Sequence, residues 1–330
     1  MRAPLALAAG LASLLTATLV TATSSQASPQ PVTQAATRAA ETRVRTSSAA
    51  ATGTDAHRVA GVRGKRVEVV AVGDIACPPG LGTTPTQCRQ GDTARLTERL
   101  DPDAVLALGD TQYEAGSLHA YRHSYAKSWG ALKPITYPVP GNHEYNTSGA
   151  RGYYTYFRNR QPGPPGYYAT NLGKWRMYGL NGNCSEISCA AEAEWLVKDI
   201  KSHPRDCSLF TVHFPRYSSG EHGNDPSMTR FFRIAFRHRV DVVLAGHDHD
   251  YERFRPMNHK GQLRARGVTE LVSGGGGRSH YAADGNVKGS AFVDDDTFGV
   301  LRMVLAPQGF RYGFRGVGGS REDNGRQPCV

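Results

Sequence analysis

Residues 244–254 read LAGHDHDYERF, with His247, Asp248, His249 and Asp250 crowded directly behind an apolar run. A solvated loop has no need of imidazoles at i and i+2. In extended backbone those two positions face the same side, so His247 and His249 can serve one common point. Donor residues follow an apolar run at four other places: Asp74 in GDIAC, Asp110 and Tyr113 in GDTQY, Asn142 and His143 in PGNHEY, and His213 in HFP. Carboxylate, phenol, amide oxygen and imidazole are all metal-ligand types, and the chemistry this set could share is the binding of metal ions. A single GD behind a strand is commonly a turn, and a single histidine is commonly structural. Five such places in one chain form a set, and no Ser, His and Asp order or Cys and His pair offers a protein nucleophile in its stead.

Secondary structure has to bring these places together. Short apolar, β-branched runs precede the donors at Val67–Val72, Ala104–Leu108, Ile135–Val139, Leu209–Val212 and Val240–Ala245. Further runs lie at Trp175–Leu180, Thr269–Val272, Val300–Leu305 and Gly309–Phe314, with helix-like segments TARLTERL, AEAEWLVKDIK and MTRFFRIAFRHR between. Continuous apolar strands alternating with helices predict an α/β protein whose sheets are covered on their outer faces. The last two runs, joined by APQG, read as an antiparallel hairpin. Ligand sites in α/β sheets gather at the C-terminal ends of strands, which is where all five donor groups fall.

The blocks GDIA, GDTQY, GNHE, VHFP and GHDHDYER resemble the five metal-ligand blocks of the calcineurin-like metallophosphoesterases, and within that superfamily those of the purple acid phosphatases. The segment VSGGGG at Val272–Gly277 is similar as well, and the matching blocks run from about Val67 to Arg253. The resemblance implies a four-layer αββα sandwich with two mixed β-sheets and a dimetal site at the strand C-terminal ends. Its purple acid phosphatase character rests on Ala76, where general metallophosphoesterases carry a ligand histidine, and on Tyr113, three residues after Asp110. Carried over position by position, it implies a first metal held by Asp74, Asp110, Tyr113 and His249 and a second held by Asp110, Asn142, His213 and His247. A phenolate with two carboxylates suits Fe(III), and imidazoles with an amide oxygen suit divalent Fe, Zn or Mn. Two such ions generate hydroxide near neutral pH and stabilise both ends of an in-line displacement at phosphorus. His143 is the implied proton donor or positive neighbour for the leaving oxygen. His222 is a second substrate-facing histidine, and Glu144 a residue that orients His143.

The expected function is a secreted dimetal phosphatase hydrolysing phosphate monoesters by attack of a metal-bound hydroxide. Two alternatives stand beside it. One is a phosphodiesterase or nucleotidase of the same superfamily, because specificity lies in rim loops such as Pro78–Thr86, Asn146–Pro165 and Pro215–Met228. The other, more remote, is a non-catalytic metal-binding surface protein.

The 330 residues carry 39 Lys and Arg against 29 Asp and Glu, a formal charge of +10. A basic surface favours anionic partners such as phosphates. The basic residues are scattered, so specific nucleic-acid binding is not expected, and a phosphorylated small molecule is the expected substrate. Residues 1–27 have the charged start, apolar run and small-residue end of a secretory signal, with Ser25-Gln26-Ala27 as the cut site and an uncleaved anchor as the alternative. Residues 28–64, rich in Ala, Thr and Ser and free of aromatics, read as a flexible leader, and 65–330 as one catalytic domain. No later segment is long and apolar enough to span a bilayer, so no stable membrane insertion is expected after signal cleavage. Six cysteines without a CxxC pair read as disulfides of an oxidising compartment. Proximity favours Cys77–Cys88 and Cys184–Cys189, leaving Cys207–Cys329. Nothing in the sequence sets an oligomeric state.

Overall fold

The computed structural model describes residues 57–319 and 323–330. The signal expected over 1–27 and the leader as far as residue 56 lie outside the described residues. One mixed sheet has the strand order β13-β12-β11-β1-β2-β3, built from β1 (Val67–Val72), β2 (Ala104–Leu108), β3 (Thr136–Val139), β11 (Gly299–Ala306), β12 (Gly309–Gly316) and β13 (Asn324–Pro328). The other has the order β10-β8-β9-β7-β6-β5-β4. Its strands are β4 (Tyr168–Leu172), β5 (Trp175–Gly179), β6 (Ser208–Thr211), β7 (Val242–Ala245), β8 (Tyr251–Phe254), β9 (Thr269–Ser273) and β10 (Ser290–Asp294). β1, β2 and β3 run parallel, as do β5, β6, β7 and β9.

Side-chain alternation along these strands separates three apolar clusters. Val67, Val69 and Ala71 of β1 and Ala104, Leu106 and Leu108 of β2 face Leu209, Val242, Leu244 and Leu271 of the second sheet, which closes the two sheets on one another. The intervening residues Val70, Val72 and Val105 point outward, into a cluster with Ala94 of the helix Gln90–Leu100 and with Tyr121, Tyr125 and Trp129 of the helical run that starts at Leu118. On the far side Phe210, Val243 and Val272 pack under the helices Cys189–Ser202 and Thr229–Arg237 through Leu196, Phe231 and Phe232. Helix, sheet, sheet, helix is the αββα sandwich expected. Burial on both faces is why these strands read as unbroken apolar runs.

Four strands have no such signal. β4, β8, β10 and β13 are short, carry Thr, Asn, Glu, Arg or Asp, and are sheet edges or neighbours of edges, where pairing partners rather than composition decide the conformation. The edge of β4 is covered by residues 57–62, within the leader expected over 28–64: Ala169 donates to the His57 carbonyl at 2.9 Å and Val62 to the Asn171 carbonyl at 2.9 Å. All six cysteines are paired, as Cys77–Cys88, Cys184–Cys189 and Cys207–Cys329. The last of these closes a separation of 122 residues and ties the β13 tail to β6. In the chain-entropy account a loop of that length removes about 4–5 kcal/mol of unfolded-state freedom.

Candidate metal centre

The turns that end β1, β2 and β7 are sharp enough to hold side chains over the strand ends. Asp74, Asp110 and His247 all have left-handed backbone, at φ 60°, 45° and 73°. That region costs a non-glycine residue roughly 1–2 kcal/mol, and such conformations collect at functional sites. Two glycines permit the approach. A Cβ on Gly141 would lie 2.1 Å from Asp110 Oδ1, and one on Gly109, itself at φ +85°, would lie 2.6 Å from the His213 ring.

Two donor clusters result, and they share one atom. The Tyr113 hydroxyl lies 2.8 Å from Asp74 Oδ1, 3.2 Å from Asp110 Oδ2 and 2.9 Å from His249 Nε2. On the other side of Asp110, His213 Nε2 lies 3.3 Å from Asp110 Oδ2, 3.0 Å from Asn142 Oδ1 and 3.1 Å from His247 Nδ1. The fold therefore brings together all seven residues read from the sequence as metal donors, with Asp110 Oδ2 between the two groups. The His247 amide donates to Asp74 Oδ2 at 2.8 Å, joining the ends of the two sheets.

The electrostatics of this place ask for cations. Asp74 and Asp110 are fully buried, and among the described residues neither has a lysine or arginine partner. Burial by itself would raise the Asp110 carboxyl, but the adjoining His213, through charge and hydrogen bond, overrides it and holds the group below the ordinary carboxylate range. Burial likewise works to lower His213, yet Asp110 drives it up to about 9. His247, 3.1 Å away, is pushed down to about 2 by burial and by His213. The Tyr113 phenol is raised well above 10 by burial and by the Asp74 and Asp110 charges, so a phenolate there requires added positive charge. Two carboxylates, a phenol, an amide oxygen and three imidazoles, buried with so little compensation, fit a pair of metal ions.

Further residues hold these donors in place. His213 Nδ1 meets the Leu108 carbonyl at 2.9 Å and His249 Nδ1 meets Ser279 Oγ at 2.9 Å, contacts that aim the opposite ring nitrogens at the centre. Glu144 accepts the amides of Gly141, Asp110 and Thr111 at 2.6, 2.9 and 2.9 Å. The expectation that Glu144 orients His143 is thereby corrected, since its carboxylate pins the Asp110 turn. Adjacent residues of the helical turn Asn142–Tyr145 point in different directions, which sends Glu144 inward and His143 toward the mouth. The His143 ring instead meets the Glu114 carbonyl through Nδ1 at 2.7 Å and leaves Nε2 at 3.9 Å from Asp110 Oδ2.

His222 is also brought to the mouth, its ring stacked on His247 at 4.1 Å between centroids and set edge-on to Tyr281 at 5.3 Å. Buried Asp248 places it by accepting the His222 amide at 2.8 Å and the Ser218 hydroxyl. Sequence reasoning missed Glu114, Ser279 and Tyr281, the last stacked on His249 at 3.9 Å. Ser279 and Tyr281 follow β9, a sixth strand end whose glycine run carries no donor to mark it.

The loop that bears His222 is anchored by Glu270 of β9, which accepts the amides of Arg216 and Tyr217 at 2.7 and 2.9 Å. Burial pushes its carboxyl from 4.5 up to about 8. The native state then holds this proton more tightly than the unfolded chain. The stability it contributes is complete below pH 4.5 and is lost as pH rises through about 8. Thermal melts of wild type and Glu270→Gln across this range should show the wild type losing ground to the variant with rising pH. A constant difference between the two would assign Glu270 an ordinary carboxyl.

The calcineurin-like phosphoesterase family profile matches residues 67–251. Over 276 residues the chain is 22% identical to tartrate-resistant acid phosphatase type 5 of Rattus norvegicus, across 68% of this chain and 82% of that protein. It is 25% identical over 205 residues to purple acid phosphatase 1 of Ipomoea batatas, across 55% of this chain and 42% of that one. A solved purple acid phosphatase from yellow lupin (Lupinus luteus) seeds superposes with a TM-score of 0.62 at 19% identity, over 79% of this chain and 53% of the lupin chain, so the present chain spans about half its length. That superposition shows a common fold. The profile runs from the start of β1 to the start of β8 and takes in both donor clusters, His143 and His222. By that match the chain belongs to the calcineurin-like phosphoesterase family, as a metal-dependent phosphoric-ester hydrolase of purple acid phosphatase-like type.

Proposed function

We propose that the chain is a secreted dimetal phosphatase acting on phosphate monoesters. The observation that carries this reading is the meeting of Tyr113 with Asp74, Asp110 and His249 on one side of Asp110, and of Asn142, His213 and His247 on the other. In this reading the first group holds Fe(III) and the second, with Asp110 shared, holds divalent Fe, Zn or Mn. Bound there, the two ions supply the Lewis acidity that activates water near neutral pH and offsets charge at phosphorus.

The chain's own residues orient the reactants and handle the proton. Glu144 fixes the Asp110 turn, and the Leu108 carbonyl and Ser279 fix the rings of His213 and His249. His143 Nδ1 donates to the Glu114 carbonyl, which sets the ring so that Nε2 faces the centre, where it can give its proton to the leaving alkoxide. His222 and Tyr281 line the mouth beside it. Three disulfides with no free cysteine among the described residues, together with the signal pattern of residues 1–27, support export. Among the described residues no helix is long and apolar enough to cross a membrane.

The phenol provides the test. Iron-loaded wild-type protein should show a visible phenolate-to-Fe(III) charge-transfer band, and Tyr113→Phe should abolish it. An unchanged spectrum in the variant would remove Tyr113 from the centre and with it the Fe(III) assignment.

A further inference from the structure

Away from the metal centre, the outer face of β11, β12 and β13 forms an open concave surface of about 1130 Å³. Alternation along β12 sends Phe310, Tyr312 and Phe314 into the core between the sheets and leaves Arg311 and Arg315 outside. Arg302 of β11, Arg326 of β13 and Arg66 before β1 complete, among the described residues, a set of five arginines lining the surface, against one carboxylate, Glu68, which Arg302 already engages at 2.6 Å. Arg311 stands directly opposite Arg326 in the β12–β13 ladder. Like charges in that relation cost stability, and among the described residues the side chains of Arg311, Arg326 and Arg66 have no hydrogen-bond or acidic partner. Gly313 keeps the floor open between Arg311 and Arg315, since a Cβ there would press on Asn324 Oδ1 at 2.7 Å and on the Arg315 guanidinium at 2.8 Å.

We propose that this face binds linear inorganic polyphosphate. Guanidinium forks match phosphate oxygens bidentately, and a row of them across three strands suits a chain that repeats the same anion without bulky side groups. The aromatic side chains of β12 point the other way. Phe310 and Tyr312 reach this surface but are only 3% and 8% exposed and packed into the core, so they offer no open ring to single-stranded nucleic acid, which takes much of its affinity from stacking on aromatic platforms. The surface holds its ligand by charge alone, and this does not depend on how the metal centre is read.

The test is anisotropy of end-labelled long-chain polyphosphate with the full chain at about 0.1 M salt and across a salt series. Wild type should bind, with affinity falling steeply as salt rises. Arg311→Ala with Arg326→Ala should bind about tenfold more weakly or worse and show a shallower salt slope, while turnover of a small monoester stays unchanged. Arg326→Glu sets a carboxylate opposite Arg311, so it should weaken binding without lowering the melting temperature, which separates loss of the surface from loss of the fold. Three results would overturn the proposal: no binding by wild type, undiminished binding by the variants, or equal binding of single-stranded DNA of matched charge.

Discussion

Asp110→Asn is expected to cost the protein bound metal and hydrolytic activity together, with activity down by more than about 10²-fold. Asp110 Oδ2 is the atom common to both donor clusters, 3.2 Å from the Tyr113 hydroxyl and 3.3 Å from His213 Nε2. An amide of the same shape keeps the local framework, because Oδ1 can still accept the His143 amide as it does at 2.8 Å. It loses the negative charge, however, and in one of its two orientations it aims N–H donors where lone pairs are needed. Residues that only orient a ligand are worth about 10–100-fold in metal affinity or activity, and a donor serving two ions at once must be worth more. Elemental analysis beside kcat/KM checks the point. A variant with its full metal complement and normal turnover would take Asp110 out of the centre.

How far the molecule could be read from its residues follows from where each signal originates. β2, AVLAL, is buried on both faces, and an unbroken apolar run is the local imprint of that burial. The donors at five strand ends were legible for the same reason: each follows such a run directly or within a turn, and glycine marks the turn before Asp74, Asp110, Asn142 and His247, though not before His213. β13, NGRQP, has no local imprint. It is a strand because β12 offers a free edge and Cys329 is bonded to Cys207. Partnerships between distant segments were equally hidden. Glu144 adjoins His143 in sequence, yet its carboxylate is taken by amides of Asp110 and Thr111, more than thirty positions away. Glu114, by contrast, lies 29 positions before His143 and meets its ring. Asp248 stands outside the donor set as alternation expected, but the segment is not extended as that expectation assumed: His247 has left-handed backbone at φ 73° and 247–250 is a run of bends. What Asp248 holds, the amide of His222, needed the fold.

His143→Ala is expected to lower kcat by about 10²–10⁴-fold with the metals retained, and this combination separates a proton donor from a ligand. The ring makes no contact that either donor cluster needs. Its Nε2 is 3.9 Å from Asp110 Oδ2, its other nitrogen is engaged by Glu114, and its face rests against Tyr113 at 4.3 Å between centroids. The backbone link that matters to Asp110, the His143 amide, survives in alanine. With 24% of its side chain exposed, the ring stands between the buried donors and solvent, where a leaving group must depart. A general acid matters most when the leaving oxygen is strongly basic, because an acidic phenol departs without its help. The loss should therefore be large for an alkyl phosphate and much smaller for an aryl phosphate with an electron-poor ring. Equal losses on both substrates, accompanied by reduced metal content, would make His143 a support for the Tyr113 and Asp110 side chains.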